Sequence, residues 1–488
     1  GAPPARAADS DHSSQRTNDE PRPISDDDDE DDDDDFVPSP TTFKALTVAN
    51  SDALASSTGA AQQQQQQHST STRRQNKDNN NNKSSRKSSN KKHHHHHNHQ
   101  HHHHHDDDST SRDDSVGHFR GGPGTMIKNR YVVDRQVGMG TFGRVLECVD
   151  MQHHQHHQSS RNNNSRQQQQ QRRLVAIKVV RKVRRYYDSA ILEADIVKRV
   201  NRKGGRGVTH VGVLLESFTY QDHYCMVFEA LGFSLYDFMK RHNYQPFPMV
   251  CLKDIARQML ETVEFLHSFQ LIHTDLKPEN ILLLNYHETE IHERGRTYIV
   301  PARPFHVKVI DFGGATYDDE TKSRVVNTRQ YRAPEVILAT DGEWSLPSDL
   351  WSAGCILAEL YVGDLLFATH DNVEHLALME RIIGPFSKGF LKRSNHTELV
   401  AQAFDTSTLD DKNNNNNSRS GGQQQQTARH LMDLHNKDSL KFVRKAKPLE
   451  QLIRVPEDDA FLKLLRSMLV IDPLERATAE ECCRSFKL

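Results

Sequence analysis

The chain has 488 residues, only 35% of them hydrophobic, and its Gln, Asn, His and Asp residues gather in runs. Such runs bury too little apolar surface to offset the entropy of ordering them, which leaves one large folded unit of roughly 330 residues, from about Ile127 onward. The formal charge of −3 is the balance of two stretches, the ten consecutive acids Asp26–Asp35 and the eight bases against one acid in Arg73–Lys92, so the body is neutral and any nucleic-acid affinity would belong to the tail.

Residues 1–124 read as a disordered low-complexity tail, with the acid run, the Gln62–Gln67 tract, an Asn run and the five-His runs His93–His97 and His101–His105. Imidazole clusters bind Zn²⁺ or Ni²⁺, but no ordered geometry is implied here, and a solvated repeat expansion is the preferred reading. The bases of Lys83-Ser84-Ser85-Arg86-Lys87 and Lys91-Lys92 fit a nuclear import signal and a solvated charge cluster equally.

Structure is expected from near Tyr131. Val137-Gly138-Met139-Gly140-Thr141-Phe142-Gly143-Arg144-Val145 is a G-x-G-x-x-G-x-V, whose glycines let backbone approach phosphates while Val145 packs on a base. A Rossmann turn would carry the same glycines. The following Leu146–Val149 alternates like a second strand, which favours a glycine-rich hairpin over a nucleotide. Residues of about 151–173, rich in His, Gln and Asn, read as an expanded hairpin loop. Beyond it, Val175-Ala176-Ile177-Lys178 is a strand presenting one lysine to phosphate. In the helical run Ala190–Val197, Glu193 is placed to pair with Lys178, whereas Asp195 lies two residues on and faces about 200° away.

Cys225–Glu229 has a buried-strand pattern and passes into Ala230-Leu231-Gly232. This linker would offer the Glu229 carbonyl and Leu231 amide to adenine, with Phe228 behind the pocket. Leu252–His267 reads as a long core helix leading to His273-Thr274-Asp275-Leu276-Lys277-Pro278-Glu279-Asn280. That octapeptide supplies a proton acceptor for an attacking hydroxyl, a cation for the moving phosphate and an oxygen ligand for Mg²⁺. Val307–Ile310 then runs into Asp311-Phe312-Gly313, a carboxylate on a Gly-bearing turn that suits a second Mg²⁺ ligand. Ala333-Pro334-Glu335 closes an activation segment, Ser348–Gly354 opens an apolar helix, and Arg476 is the expected buried partner of Glu335.

Six cysteines without C-x-x-C spacing (Cys148, Cys225, Cys251, Cys355, Cys482, Cys483) read as buried thiols of a reducing compartment. No apolar run approaches the ~18 residues of a membrane helix, and Gly1–Pro4 lack a signal-peptide apolar core. The first residue is not Met, which is compatible with a fragment.

Together, the glycine loop, V-A-I-K, H-x-D-L-K-P-E-N, D-F-G and A-P-E resemble the signature set of the eukaryotic protein kinases, across about residues 127–488. Glu374-His375-Leu376-Ala377-Leu378-Met379-Glu380-Arg381-Ile382-Ile383-Gly384 is similar to the E-H-L-A-M-M-E-R-I-L-G motif of the LAMMER (Cdc-like) kinases of the CMGC group, with Leu378 in place of one Met. The H-T-D-L-K-P-E-N form, Asn327–Glu335 and the extra segment between Asn285 and His306 are similar to that family too. Without the resemblance, the eleven-residue stretch is an amphipathic helix with Leu376, Met379 and Ile383 in the core. A direct substrate role for Glu374 or Glu380 is the lesser alternative.

The resemblance implies an α+β, bilobal kinase fold over 125–488, with an N-lobe of about 127–230 and a C-lobe of about 231–488 carrying an insert at about 411–426. It implies ATP and Mg²⁺ as cofactors. Val137, Gly138, Gly140, Gly143, Val145, Ala176, Lys178, Glu193, Glu229, Leu231 and Leu282 would hold the nucleotide. Asp275, Lys277 and Asn280 would be catalytic, and Asn280 and Asp311 would take the metal. It further implies Ser/Thr phosphorylation of Ser/Arg-rich splicing factors, tyrosine autophosphorylation and a nuclear location; a monomer that needs neither membrane nor nucleic acid is also expected. The spacing itself shows no preference for arginine-flanked serines, although Asp318-Asp319-Glu320 would either attract basic substrates or form a solvated acidic turn. Thr274 stands where many kinases carry Arg, so activity is expected not to require loop phosphorylation.

Two departures stand out, a tail that is not Arg/Ser-rich and a final helix that stops after Cys482–Phe486; the two inserts read as expansions in loops that tolerate length. The rival readings are another CMGC-group kinase, and a kinase-fold scaffold assembling through the Gln/Asn/His tracts, which would need a missing lysine or metal ligand.

Overall fold

The apolar alternation that starts at Tyr131 folds as paired strands. In the computed structural model the described residues are 117–154, 173–204, 207–284, 286–340, 344–369, 371–404, 437–453 and 459–486. Strands β1 (Met126–Ile127), β2 (Tyr131–Gly140), β3 (Gly143–Asp150), β4 (Leu174–Val180), β5 (Leu214–Tyr220) and β6 (His223–Glu229) form one six-stranded sheet, ordered β1-β2-β3-β4-β6-β5. All of its pairings are antiparallel. Helix α1 (Arg184–Arg202) buries Ala190, Glu193, Ala194, Val197 and Val200. These recur at three- and four-residue steps and so form one face. That face shares its core with Met226 of β6 and with Leu266, Leu271 and Phe312 of the second lobe.

The second lobe is mainly helical. It comprises α2 (Leu235–Arg241), α3 (Met249–His267), β7 (Leu271–Ile272), β8 (Ile281–Leu284), the hairpin β9 (Glu288–Glu293) and β10 (Arg296–Pro301), β11 (His306–Val309), β12 (Thr316–Tyr317) and α4 (Pro334–Leu338). The rest is α5 (Pro347–Val362), α6 (Asn372–Ile382), α7 (Lys388–Lys392), α8 (Thr397–Ala403), α9 (Lys437–Lys445), α10 (Leu449–Leu452), α11 (Asp459–Met468) and α12 (Ala479–Ser485). Every residue from Ser348 to Leu360 of α5 is buried, so this mostly apolar helix is enclosed on all sides and the others pack around it. Two short ladders, β8 with β11 and β7 with β12, present the loops between the lobes. The α+β, bilobal architecture expected from the sequence is the one observed.

Residues before the expected onset are part of the folded unit. Residues 1–116 of the expected tail lie outside the described residues, but Phe119 is buried against Tyr220 and His223. Arg144 donates to the carbonyls of Phe119 and Gly121, and Lys182 N–H donates to the Gly117 carbonyl at 2.8 Å. The expected boundary at residue 124 and the onset near Tyr131 therefore move to about Gly117. Of the first insert, Met151–His154 form a short 3₁₀ turn and the Asp150 N–H donates to the Arg173 carbonyl at 2.9 Å, joining the two ends. Residues 155–172 and the second insert, 411–426, lie outside the described residues. All six cysteines are free and five are buried, Cys483 being half-buried. Among the described residues, no helix is long and apolar enough to cross a membrane.

Candidate active site

The glycine-bearing turn joins β2 to β3. A Cβ on Gly143 would overlap the Val179 carbonyl and stand 2.9 Å from Val180 Cα, so β4 comes this close only because position 143 has no side chain. Arg181 fixes the tip from below, donating its backbone N–H to the Phe142 carbonyl (2.9 Å) and its guanidinium to the Thr141 carbonyl (3.1 Å). Under the hairpin, Val137, Val145, Ala176, Leu231 and Leu282 form one apolar cluster, separate from the main cores, with Phe228, Leu284 and Ile310 half-buried against it. These five come from β2, β3, β4, the interlobe linker and β8, and form two faces of a slot fit for a planar base. The Glu229 carboxylate is committed elsewhere: it lies 2.6 Å from Lys308 Nζ and accepts from the Val213 N–H at 3.0 Å. Its side chain therefore fastens the linker to β11, which leaves the backbone carbonyl as the atom available to a base.

Lys178 stands beyond the slot. Its Nζ lies 2.8 and 2.9 Å from the two Glu193 oxygens and 3.1 Å from Asp311 Oδ1. Burial works against the lysine charge, yet the two carboxylates outweigh it and hold its pKa above the ordinary lysine value. Burial keeps Glu193 above the usual carboxylate range although Lys178 pulls it down, whereas for Asp311 the same ammonium overcomes burial and holds the carboxyl below that range. Asp195 points outward, 3.7 Å from Lys198, so the choice of Glu193 over Asp195 agrees with the geometry.

The catalytic-loop residues converge below. Lys277 Nζ lies 2.7 Å from Asp275 Oδ2, and Asn280 Nδ2 donates to the Asp275 carbonyl at 2.9 Å. With Nδ2 so committed, the free acceptor of Asn280 is Oδ1, a hard oxygen of the kind Mg²⁺ takes. The Ile310 N–H donates to the Asn280 carbonyl at 2.9 Å, which brings Asn280 beside Asp311. Two side-chain oxygens suit an ion whose remaining ligands are water and phosphate; among the described residues there is no cluster of three or more His, Cys, Asp or Glu that would form an all-protein site. Thr274 and Asp311 both have left-handed backbones, φ 68° and 66°, conformations that persist only where surroundings impose them.

Two residues that impose this geometry were not singled out from the sequence. Asp349, fully buried in α5, accepts the N–H groups of His273 (2.8 Å) and Thr274 (3.0 Å) and so holds the loop from beneath. Thr328 donates its hydroxyl to Asp275 Oδ1 at 2.7 Å, receives Lys277 Nζ at 3.1 Å and donates its own N–H to the same Asp275 oxygen at 3.1 Å. The signals were present, an acid at the start of an otherwise apolar helix and the Thr before Arg329, but each is a single residue outside the contiguous motifs.

Three further expectations meet the structure here. The Glu335–Arg476 pair forms with both residues buried, Nη1 and Nη2 of Arg476 lying 2.6 and 2.9 Å from the two Glu335 oxygens. In α6, Leu376 and Met379 are core, but Ile383 is only half-buried and Ile382 takes the inward place. Glu374 and Glu380 are buried rather than presented at the surface. Of the acidic turn Asp318-Asp319-Glu320, Asp319 and Glu320 are exposed, whereas Asp318 is engaged within the chain, accepting Lys322 Nζ at 2.9 Å and Ser345 Oγ at 2.8 Å.

A protein-family model described as the protein kinase domain matches residues 131–486. The chain is 37% identical over 385 residues to the serine/threonine-protein kinase AFC2 of Arabidopsis thaliana, across 76% of this chain and 80% of that one. It is 36% identical over 379 residues to the human dual specificity protein kinase CLK1, across 76% of this chain and 68% of that one. A solved crystal structure of a kinase domain superposes with a TM-score of 0.62 at 34% identity, covering 75% of this chain and 97% of the other.

Proposed function

The chain belongs to the protein kinase family, and within it to the LAMMER (Cdc-like) type, and on that premise we propose that it phosphorylates serines and threonines flanked by arginine in Ser/Arg-rich splicing factors, and its own tyrosines, in the nucleus. The observation that carries the catalytic part is the convergence of Lys178, Glu193 and Asp311, from three distant segments, within 3.1 Å of one ammonium. Lys178, braced by Glu193, clamps the α- and β-phosphates of ATP. Asp275 orients the substrate hydroxyl and accepts its proton, while Lys277 faces the γ-phosphate. Asn280 and Asp311 would hold Mg²⁺, which supplies neutralisation of phosphate charge when bound. The chain's own contribution is positioning and preorganised electrostatics.

The arginine preference is supported by two acids beside the catalytic loop, the half-buried Glu279 and the buried Glu359. Glu279 Oε2 is buried with no hydrogen-bond partner among the described residues, and burial raises the pKa of its carboxyl. Glu359 is pushed up to about 8, first by burial and further by Glu279, against the lowering effect of its bond from the Tyr331 hydroxyl (2.7 Å). The unpartnered Glu279 oxygen, with Glu359 beside it, favours a guanidinium, whose fork satisfies buried carboxylate oxygens.

The test is a rate comparison with Mg-ATP on an Arg-Ser repeat peptide and on a peptide whose serine is flanked by acids. The expected result is a kcat/KM at least ~10-fold higher for the Arg-Ser peptide, narrowing in Glu279→Gln. Equal rates on both peptides would reject the substrate assignment and leave the kinase assignment standing. Human CLK1, described as a dual specificity kinase, supports the tyrosine component, which mass spectrometry of the purified chain after incubation with ATP would test.

A further inference from the structure

The activation segment, Asp311 to Glu335, is tied near both ends to one residue of the catalytic loop. Thr274 donates its hydroxyl to the Gly314 carbonyl at 2.8 Å, and its own carbonyl receives Asn327 Nδ2 at 2.7 Å. A Cβ on Gly314 would stand 2.7 Å from Thr274 Oγ1, so this approach also depends on a glycine. Between those ends the segment is stapled to the start of α5. The Asp318 N–H donates to the Gln270 carbonyl at 2.8 Å. Its Oδ1 accepts both Lys322 Nζ (2.9 Å) and Ser345 Oγ (2.8 Å). The Lys322 side chain is only 7% exposed and its Nζ lies 5.7 Å over the ring of buried Trp344, whose Nε1–H donates to the Ser323 carbonyl at 2.7 Å.

A phosphorylated residue orders a loop by supplying negative charge and acceptor oxygens to nearby cations. Asp318 supplies one fixed negative charge and an acceptor oxygen to a buried cation and a hydroxyl, with no modification needed. We propose that the Asp318–Lys322–Ser345 staple takes the place of a phosphate in this chain and holds the activation segment where Thr328 reaches Asp275. Asp318 is then a positioning residue for the peptide substrate, while the ATP slot, built from other segments, does not depend on it.

This inference rests on the kinase assignment, and its test separates the two. The full chain, treated with phosphatase, is assayed with an Arg-Ser repeat peptide and ATP, as wild type and as Asp318→Asn. The expected result is a peptide KM raised about fivefold or more with the ATP KM changed by less than about twofold. The segment 314–327 should also be cut faster by trypsin at Arg324 in the variant. Removing the stranded lysine charge in Asp318→Asn/Lys322→Met should recover part of the peptide KM. Where Asp318→Asn does not fold, Ser345→Ala removes a single hydrogen bond and is read for the same split between the two KM values. Unchanged peptide KM and unchanged cleavage in the folded variant overturn the staple. A phosphatase-treated wild type that turns over no peptide, while the untreated chain does, likewise overturns the staple as a stand-in for phosphate; an untreated wild type that turns over none counts against the kinase assignment instead.

Discussion

Glu193→Gln tests whether Lys178 needs its brace. Glutamine keeps one acceptor oxygen of the same shape, so the change removes a charge and one of the two bonds at 2.8 and 2.9 Å. A hydrogen bond to a charged group contributes about 1.5–3 kcal/mol, which corresponds to a loss of roughly 10- to 150-fold in kcat/KM for ATP. The structure also says where the loss goes. Without the Glu193 charge, the remaining carboxylate at Lys178 is Asp311, already at 3.1 Å, so the ammonium is drawn onto the residue proposed to take Mg²⁺. Both a higher ATP KM and a lower kcat follow. Stability should move little, because burial already disfavours the Glu193 charge. The assay is initial rates at varied ATP beside a thermal melt, with Asp195→Asn on the outer face of α1 as the control. A kcat/KM within about threefold of wild type, with the melt unchanged, would refute the brace.

Asp275→Asn and Lys178→Met should each lower kcat by at least ~100-fold while the fold persists, and near-normal turnover by either would defeat the assignment of roles. Arg476→Met strands a buried Glu335, at a cost of about 3–5 kcal/mol, which lowers Tm by about 4–7 °C in a domain of roughly 330 residues; a shift below about 1 °C would show the pair to be dispensable. Glu359, pushed up to about 8 from its ordinary 4.5, is neutral in the folded chain where the unfolded chain has it charged. Folding therefore takes up a proton between these values: the contribution is complete below the lower one and is lost as pH rises to the upper, by up to about 1.4 kcal/mol per pH unit. Glu359→Gln should flatten the decline of Tm between about pH 6 and 8, and an unaltered slope would reject the raised pKa.

The parts of the site legible in the sequence were those where chemistry demands several residue types at short spacing. Gly138 to Val145, Val175 to Lys178 and His273 to Asn280 are of this kind, and their side chains meet in one place. What escaped was held by single residues acting across long sequence distances. Asp349 serves backbone N–H groups 75 and 76 positions away, and no local pattern marks an acid for that task. Phe119 sits among glycines with no periodicity around it, so only the hydrophobic surface it covers, absent from the sequence, reveals it as core. Asp318 misled for a related reason: an acid among acids reads as solvated until the burial of its partner Lys322 is known. Helix α1 was seen as Ala190–Val197 because its first turn opens on Arg184 and Arg185; the helix starts at Arg184, and its half-buried Tyr186 and Tyr187 pack against the same core.

The catalytic loop depends least on its own sequence. Thr274 has a left-handed backbone that a β-branched residue adopts at an expense of order 1–2 kcal/mol, and local preference would release it. It is instead fixed at every polar atom: its N–H by Asp349, its carbonyl by Asn327, its hydroxyl by the Gly314 carbonyl. Asp349 can act as that anchor because α5 is buried on all sides and cannot shift without disturbing the largest core cluster. The position of Asp275 is thus set jointly by the centre of the C-lobe and by both ends of the activation segment. The connection that carries residues 155–172 has ends that are already bonded, the Asp150 N–H to the Arg173 carbonyl at 2.9 Å, and there added length costs only a slowly growing closure entropy.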